Sequence, residues 1–349
     1  MTTKATAPVL ILGGTGTVGT RTAQTLRQLH PDLPIAIGAR DQDRCRALAA
    51  EIGNAHATPV NLGRADLGLA RDASYRAVVA VLKENTLNPL RYAQSKGLPY
   101  LSMADGAFEI GPAVARHVHR PASAPMMLAS HWAVGMATMP ALHFAGEFRA
   151  VHTIEIAVLM DPEEAIGPMA TQDVEQLMQN SPRPLLLDDG TWRWVGEQVA
   201  TRRVENMAGE EVETHAMTVL DTVSLAAATE ARSVRMDFGV AQSASRRRGG
   251  VPSHEMIIEI EGERKDGKVG RLRVDIESPQ GVTGLSALGV SLGVERLLGL
   301  AGGAPAAPGL HFPETLIDPV YALARLEEFG GRVRPAPFAT GAGAAASPD

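Results

Sequence analysis

Near the amino terminus, Gly14-x-Gly16-x-x-Gly19, with Gly13 just before it, stands between the apolar run Val9–Leu12 and a helical stretch, Thr20–Leu29. Each glycine has its own task in phosphate chemistry. Gly14 permits a tight turn, Gly16 lets backbone approach a pyrophosphate, and Gly19 lets the helix pack closely on the strand. Thr15, Thr17 and Val18 complete the loop, and the helix behind it offers free N–H groups and a positive dipole end. The next strand candidate, Ile35–Gly38, runs into Ala39-Arg40, with no acid where an NAD site places one for the ribose 2′-hydroxyl. A guanidinium there suits a 2′-phosphate. Arg40 therefore favours NADP over NAD, with Asp41 as an alternative contact to ribose.

A parallel sheet places its ligand crevice at the carboxyl ends of its strands, and several reactive side chains fall there. His131 follows the strand candidate Met126–Ala129 and can hand over a proton as a hydride arrives; it can equally pack between domains or line the cofactor. Asp105, after Tyr100–Met103, can orient His131, bind an amine, or cap the segment that follows. Lys83, Glu84 and Asn85 follow Ala77–Leu82. Lys83 and Asn85 are candidate contacts to the ribose or nicotinamide side, although a Lys–Glu pair also fits an exposed loop. Arg246-Arg247-Arg248, close to His254, reads as an anion clamp or as a solvated loop, and Arg202-Arg203 carries the same ambiguity. Tyr92 and Lys96 have the Tyr-x-x-x-Lys spacing of short-chain dehydrogenases, but they come too early in the chain and lack the serine partner. They read as a helix end before Gly97. The ten histidines form no His-Glu-x-x-His, and Cys45 is the only cysteine, so no metal site is expected.

These groups need a scaffold, and the first 130 residues alternate strand and helix signals. Asp41 caps a second helix whose Cys45, Leu48, Ala49 and Ile52 recur at helical spacing before Gly53. Asn88-Pro89 opens another helix, which Gly97 closes. Such alternation predicts right-handed βαβ units and a parallel sheet. From Val151 to Met160 the pattern becomes one-sided, as in antiparallel sheets. Leu185–Leu187 and Trp192–Val195 flank Asp189-Gly190, and Met256–Ile260 and Leu272–Ile276 flank a turn with Asp266-Gly267. Helices are expected near Val174–Met178, Ser224–Thr229, Val282–Leu300 and Leu316–Phe329. The expected fold class is α/β, a Rossmann-type sheet domain over 1–135 with an inserted α+β domain over 136–280. Helices over 281–331 return to the first domain, and 332–349 is a mobile tail.

Composition narrows the function. The chain has 349 residues with a formal charge of −6, 45% hydrophobic and 21% charged, so it can bury a core and lacks the basic surface of a nucleic-acid groove. Only five of the 33 basic residues are lysines, so an individual arginine needs local support before it is given a role. One cysteine fits a reducing compartment, and no apolar run reaches bilayer length. A soluble cytoplasmic protein, without a membrane or nucleic-acid partner, is expected.

At this point the sequence resembles the saccharopine dehydrogenase-like oxidoreductases. The likeness rests on GGTGTVG, the GAR ending of the second strand, GLPYLSMAD, MLASHWAVGMATMPAL, and the closing GLHFPETLIDPVYALARLEEFG. His131 stands where relatives often have glycine, and Lys83-Glu84-Asn85 replaces a short Gly-Pro element. The resemblance implies an NADP-dependent oxidoreductase moving hydride between NADPH and an imine or CH–NH carbon of a small molecule such as an amino-acid derivative, working as a homodimer. A carbonyl substrate, or a non-catalytic NADP-binding redox regulator, is the alternative.

Overall fold

The computed structural model describes residues 7–103, 106–107, 109–167 and 183–340, which form two compact units. The first takes the described residues up to 135, then 166–167 and 283–318; the second takes the remainder. The return to the first unit therefore covers 283–318 rather than 281–331. Among the described residues no helix is long and apolar enough to cross a membrane. The expected helix Val174–Met178 lies outside the described residues.

In the first unit, β1 (Val9–Leu12), β2 (Ile35–Ala39), β3 (Ala55–Pro59), β4 (Ala77–Ala80), β5 (Tyr100–Ser102) and β6 (Pro125–Leu128) pair in parallel in the order β3-β2-β1-β4-β5-β6. A seventh strand, Gly309–His311, adds in parallel to β6. The helices α1 (Thr17–Leu29), α2 (Gln42–Ile52), α3 (Asn88–Lys96) and α4 (Gly111–Val118) connect them. Strand order reverses between β1 and β4, the point at which this architecture opens its crevice. Alternate residues of β1 enter opposite cores: Val9 and Ile11 pack with Leu26, Ile37, Val290 and Val294, while Leu10 and Leu12 pack with Val78, Leu90 and Tyr92. Cover on both faces is why these strands read as unbroken apolar runs.

The long helix Gly281–Leu298 lies on the first of these cores, and two of its glycines bring it close. A Cβ on Gly293 would stand 2.7 Å from Leu101 Cδ1, and one on Gly289 would stand 2.7 Å from Val134 Cβ and 3.0 Å from the carbonyl oxygens of Ala133 and Val134.

The second unit is built on a larger sheet. Its strands are β7 (Phe148–Met160), β8 (Leu185–Asp188), β9 (Thr191–Trp194), β10 (Thr201–Glu205), β11 (Glu211–Ala216), β12 (Ser233–Val240), β13 (His254–Arg264), β14 (Val269–Ser278) and two short C-terminal strands, Arg332–Pro335 and Ala339–Thr340. Apart from the parallel pair β7 and β12, neighbours run antiparallel. Register aligns Ile156 with Ile258 and Ile258 with Val274, giving one apolar face. Helix α5 (Thr138–Ala145) packs against β7 and β13 and touches the helices Leu220–Thr229 and Pro319–Glu328. The expected mobile tail begins as structure: Arg332–Pro335 and Ala339–Thr340 both pair with β14. The single helix expected over Leu316–Phe329 is divided into Pro313–Leu316 and Pro319–Glu328, because Pro319 lacks an N–H and keeps Asp318 out of helical geometry.

One buried contact makes the second unit sensitive to pH. Glu255 on β13 stands directly across from Glu277 on β14, and both are buried. Glu277 faces the guanidinium of Arg248 at 3.0 Å, whereas Glu255 is met by main-chain donors, the Ala244 N–H on Oε1 at 2.6 Å and the backbone of Met207. Burial raises the Glu255 carboxyl above its ordinary range; the Ala244 N–H opposes this, and the charge of Glu277 adds to it. The folded state therefore holds a proton that the unfolded chain releases above about pH 4.5, so stability falls as pH rises through the raised folded pKa. Glu255→Gln keeps the acceptor and removes the proton. Urea unfolding should find the variant more stable than wild type at neutral pH, with the gap closing toward pH 4; a constant gap would contradict this assignment.

Candidate functional site

The glycine turn follows β1 and leads into α1. Gly13 adopts φ +80°, and the N–H groups of Gly13 and Gly14 donate to Gly38 O at 2.9 and 3.2 Å, tying the turn to the end of β2. A Cβ on Gly19 would stand 2.8 Å from Gly14 Cα and nearer still to the Gly13 carbonyl; one on Gly14 would meet Ile37 Cγ2 at 2.8 Å. Side chains are excluded because backbone and strand already fill the space. Gly16 is the N-cap of α1; no side chain caps it, and the first turn holds no acid. The N-terminal N–H groups thus lack a side-chain acceptor and sit at the positive end of the dipole, a cradle suited to phosphate. Thr17 is exposed, and Thr15 and Val18 are half-buried.

Next to this turn, the end of β2 supplies positive charge. Arg40 is exposed and has no hydrogen bond or ion pair with the described residues. Asp41 is committed elsewhere: its Oδ1 accepts the Arg44 N–H at 3.1 Å as the N-cap of α2. Arg44, in the first turn of α2, donates to Thr15 O in the glycine turn at 2.7 Å. Sequence reasoning overlooked Arg44, which nothing local in the sequence sets apart from its neighbours.

After β4, on the other side of the strand reversal, Lys83 Nζ reaches both carboxylate oxygens of Glu109 at 2.9 Å, while Asn85 is exposed. Lys83 is thereby held by a carboxylate of its own unit. Glu84 accepts the Thr86 N–H at 2.7 Å, which shapes the loop.

His131 follows β6 and is buried, with Nε2 3.5 Å from Glu314 Oε2 and its ring edge-on to Phe312 at 5.3 Å between centroids. Burial pushes the imidazole down to about 3, so at physiological pH the ring is neutral, with one N–H and no imidazolium proton to give up. That departs from the acid expected with a pKa near neutrality. The chain then makes a left-handed turn: Ala133, Val134 and Gly135 have φ 46°, 61° and 85°. A β-branched residue in this region is strained by about 1–3 kcal/mol. The strained turn is closed by the Val134 N–H on His131 O at 3.0 Å, and Gly289 of the long helix packs on its carbonyls. Glu314 and Phe312 were not linked to His131 by sequence reasoning, although both lie in the closing segment that carries the family resemblance. Asp105 lies outside the described residues.

Other expectations resolve into structure. Each arginine of the 246–248 run meets an acid: Arg246 with Asp161 at 2.9 Å and with Glu163, Arg247 with Glu210 at 2.5 Å, Arg248 with Glu277 at 3.0 Å. The run is ion-paired internally instead of waiting for an anion. Arg202 likewise joins Asp237 at 2.7 Å and Glu155. Tyr92 is a core residue whose hydroxyl burial pushes up, and Lys96 sits 6.0 Å over its ring. Among the described residues no three His, Cys, Asp or Glu side chains gather as a metal site.

No protein-family model matches the chain, and no curated protein matches it by sequence. Solved structures do match. Apo saccharopine dehydrogenase (L-Glu forming) from Saccharomyces cerevisiae superposes with a TM-score of 0.67 at 12% identity, over 95% of this chain and 99% of that one. An amine dehydrogenase from Mycobacterium smegmatis superposes with a TM-score of 0.51 at 12% identity, over 88% and 95%. The chain therefore has a Rossmann-type dehydrogenase fold, with a second, mostly antiparallel unit.

Two outcomes follow from this geometry. Gly289→Ala should destabilise the protein by about 1–3 kcal/mol in urea unfolding, since the added carbon has no room against the 133–134 turn; an unchanged midpoint would remove Gly289 from that role. An unfolded chain protonates its imidazoles below about pH 6.5, whereas His131 stays neutral down to about 3. Stability should therefore fall as pH is lowered from about 6.5 towards about 3, by up to about 1.4 kcal/mol per pH unit, and His131→Gln should remove that component of the slope. Equal slopes for the two proteins in urea unfolding would show that the ring takes up its proton in the fold.

Proposed function

We propose that the chain is a nicotinamide-dinucleotide-dependent oxidoreductase that favours NADP and acts on a carbon bonded to nitrogen. The dinucleotide assignment rests on the glycine turn, where added Cβ atoms would collide with backbone and the start of α1 has no side-chain cap. The preference for NADP is carried by one observation: at the end of β2 the guanidinium of Arg40 is unpaired, while Asp41 spends its carboxylate on the cap of α2. One oxygen of Asp41 is taken by the cap, and Arg40 is open to a 2′-phosphate. Arg44 braces the turn through Thr15 O.

The bound nicotinamide supplies the hydride. The chain contributes binding and orientation: N–H groups of the first turn of α1, from Thr17 to Gly19, for the pyrophosphate, Arg40 for the phosphorylated ribose, and Asn85 on the loop after β4 for the far end. His131, neutral and held beside Glu314, serves as a hydrogen-bonding group that orients a substrate nitrogen; the proton for that nitrogen comes from elsewhere at neutral pH. The carbon–nitrogen substrate is supported by the sequence resemblance and by a shared fold with one protein named an amine dehydrogenase.

Calorimetric titration with NADPH and NADH, of wild type and Arg40→Ala, tests the reading. Wild type should prefer NADPH by at least about tenfold, roughly 1.4 kcal/mol, and the variant should lose that preference. A wild-type preference for NADH would overturn the role of Arg40, and failure to bind either nucleotide would overturn the dinucleotide site itself.

A further inference from the structure

Another concavity of the first unit lies away from the glycine turn. Tyr75 and Arg76 lead into β4, Leu98 and Pro99 lead into β5, and all four stand in its lining. Leu297 and Leu298, which close the long helix, and Pro305 beyond it complete an apolar wall. The cavity holds about 320 Å³, within the range of small-molecule sites, about 300–1,000 Å³. Gly97, which ends α3 at φ +61°, is exposed in the lining, so the cavity opens to solvent. Every one of these residues belongs to the first unit.

Of the residues in this lining only Arg76 carries a charge. It is half-buried, and its guanidinium makes no hydrogen bond or ion pair with the described residues. Tyr75 does not answer it, because its hydroxyl shares a hydrogen bond with Thr58. A cation partly withdrawn from water with nothing in return costs free energy that an anion would recover. The helix ends decide which anion suits. The long helix and α3 both finish at the cavity, and their closing carbonyls are the negative pole of each dipole. One guanidinium against two such ends leaves little net positive field, which holds a single negative charge better than the two of a phosphate.

We propose that this cavity binds a small apolar monocarboxylate, its carboxylate on Arg76 and its hydrocarbon body against the leucines and prolines. The sheet separates it from the dinucleotide crevice. β4 runs over Ala77–Ala80 at about 3.3 Å per residue, so the cavity lies at least about 10 Å from the carboxyl ends of the strands. Its ligand is then neither partner in the hydride transfer proposed above, and the site does not depend on that reading.

Ligand-observed NMR titration of the full chain with hexanoate, hexanamide and inorganic phosphate tests the site, in wild type, Arg76→Gln and Arg76→Lys. Wild type should bind hexanoate at least about tenfold more tightly than hexanamide or phosphate, and Arg76→Gln should erase that margin. Arg76→Lys, which keeps the charge, should still prefer hexanoate to hexanamide. Thermal melting checks that each variant is folded, and the comparison of ligands on wild type decides even where a variant is not. Equal affinity of wild type for hexanoate and hexanamide overturns the proposal, as does hexanoate binding to folded Arg76→Gln within about twofold of wild type. Displacement of hexanoate by NADPH overturns it too, since that places the carboxylate in the crevice.

Discussion

The tightest constraint in the first unit is the meeting of backbone with backbone where α1 leaves β1. Gly19 lies so close to the Gly13 carbonyl and Gly14 Cα that no side chain fits there, while a Cβ on Gly13 would meet Leu82 and one on Gly14 would meet Ile37. Much else depends on this approach. It sets the helix directly behind the strand end, and the N-cap of that helix is Gly16, which has no side chain to satisfy its donors. A helix start left open in this way costs free energy unless a ligand or water takes its N–H groups. The same turn is held to β2 through Gly38 O, which brings Arg40 and Arg44 beside it. Packing thus creates the anion cradle and the positive charge around it together.

The fold was legible wherever burial dominated. β1, β2, β4, β5 and β6 are apolar runs covered on both faces, and β14 alternates over most of its length because one face is covered. What escaped the sequence reading is short, polar or at an edge. β3 is Ala55–Pro59, half exposed and closed by a proline; Gly309–His311 is three residues long; and β10 and β11 are rich in charge, with Arg202 matched to acids on β7 and β12. In such strands pairing comes from neighbours that a linear pattern does not name. The C-terminal strands were missed for the same reason, since Pro and Gly content outweighed their pairing with β14.

The candidate site divides along the same line. The glycine turn and Arg40 were legible because their chemistry is local in sequence. The environment of His131 was not, because Phe312 and Glu314 arrive from the far end of the chain. Position at a strand end suggested a proton donor, but burial decides the protonation state, and burial is a property of the assembled core. The left-handed turn was equally hidden: Ala133 and Val134 have ordinary propensities that oppose it, and it is held by the Val134 N–H on His131 O and by Gly289 packing against its carbonyls.

Charge in this arginine-rich chain separates structure from function. The arginines expected to form an anion clamp have carboxylates of their own in the folded protein, several of them buried. A buried acid paired in this way is costly to leave alone, so such arginines are held by stability and are unavailable to a ligand. Arg40 differs in its surroundings: the adjacent acid is occupied as a helix cap, and the next guanidinium along the helix braces the glycine turn. Arg44 and the exposed Arg40 thus stand at the start of α2 with Asp41 and Asp43 among them, and Arg44 alone reaches the glycine turn. On a solvated surface water screens such charges, so an exposed guanidinium without a carboxylate of its own costs the fold little.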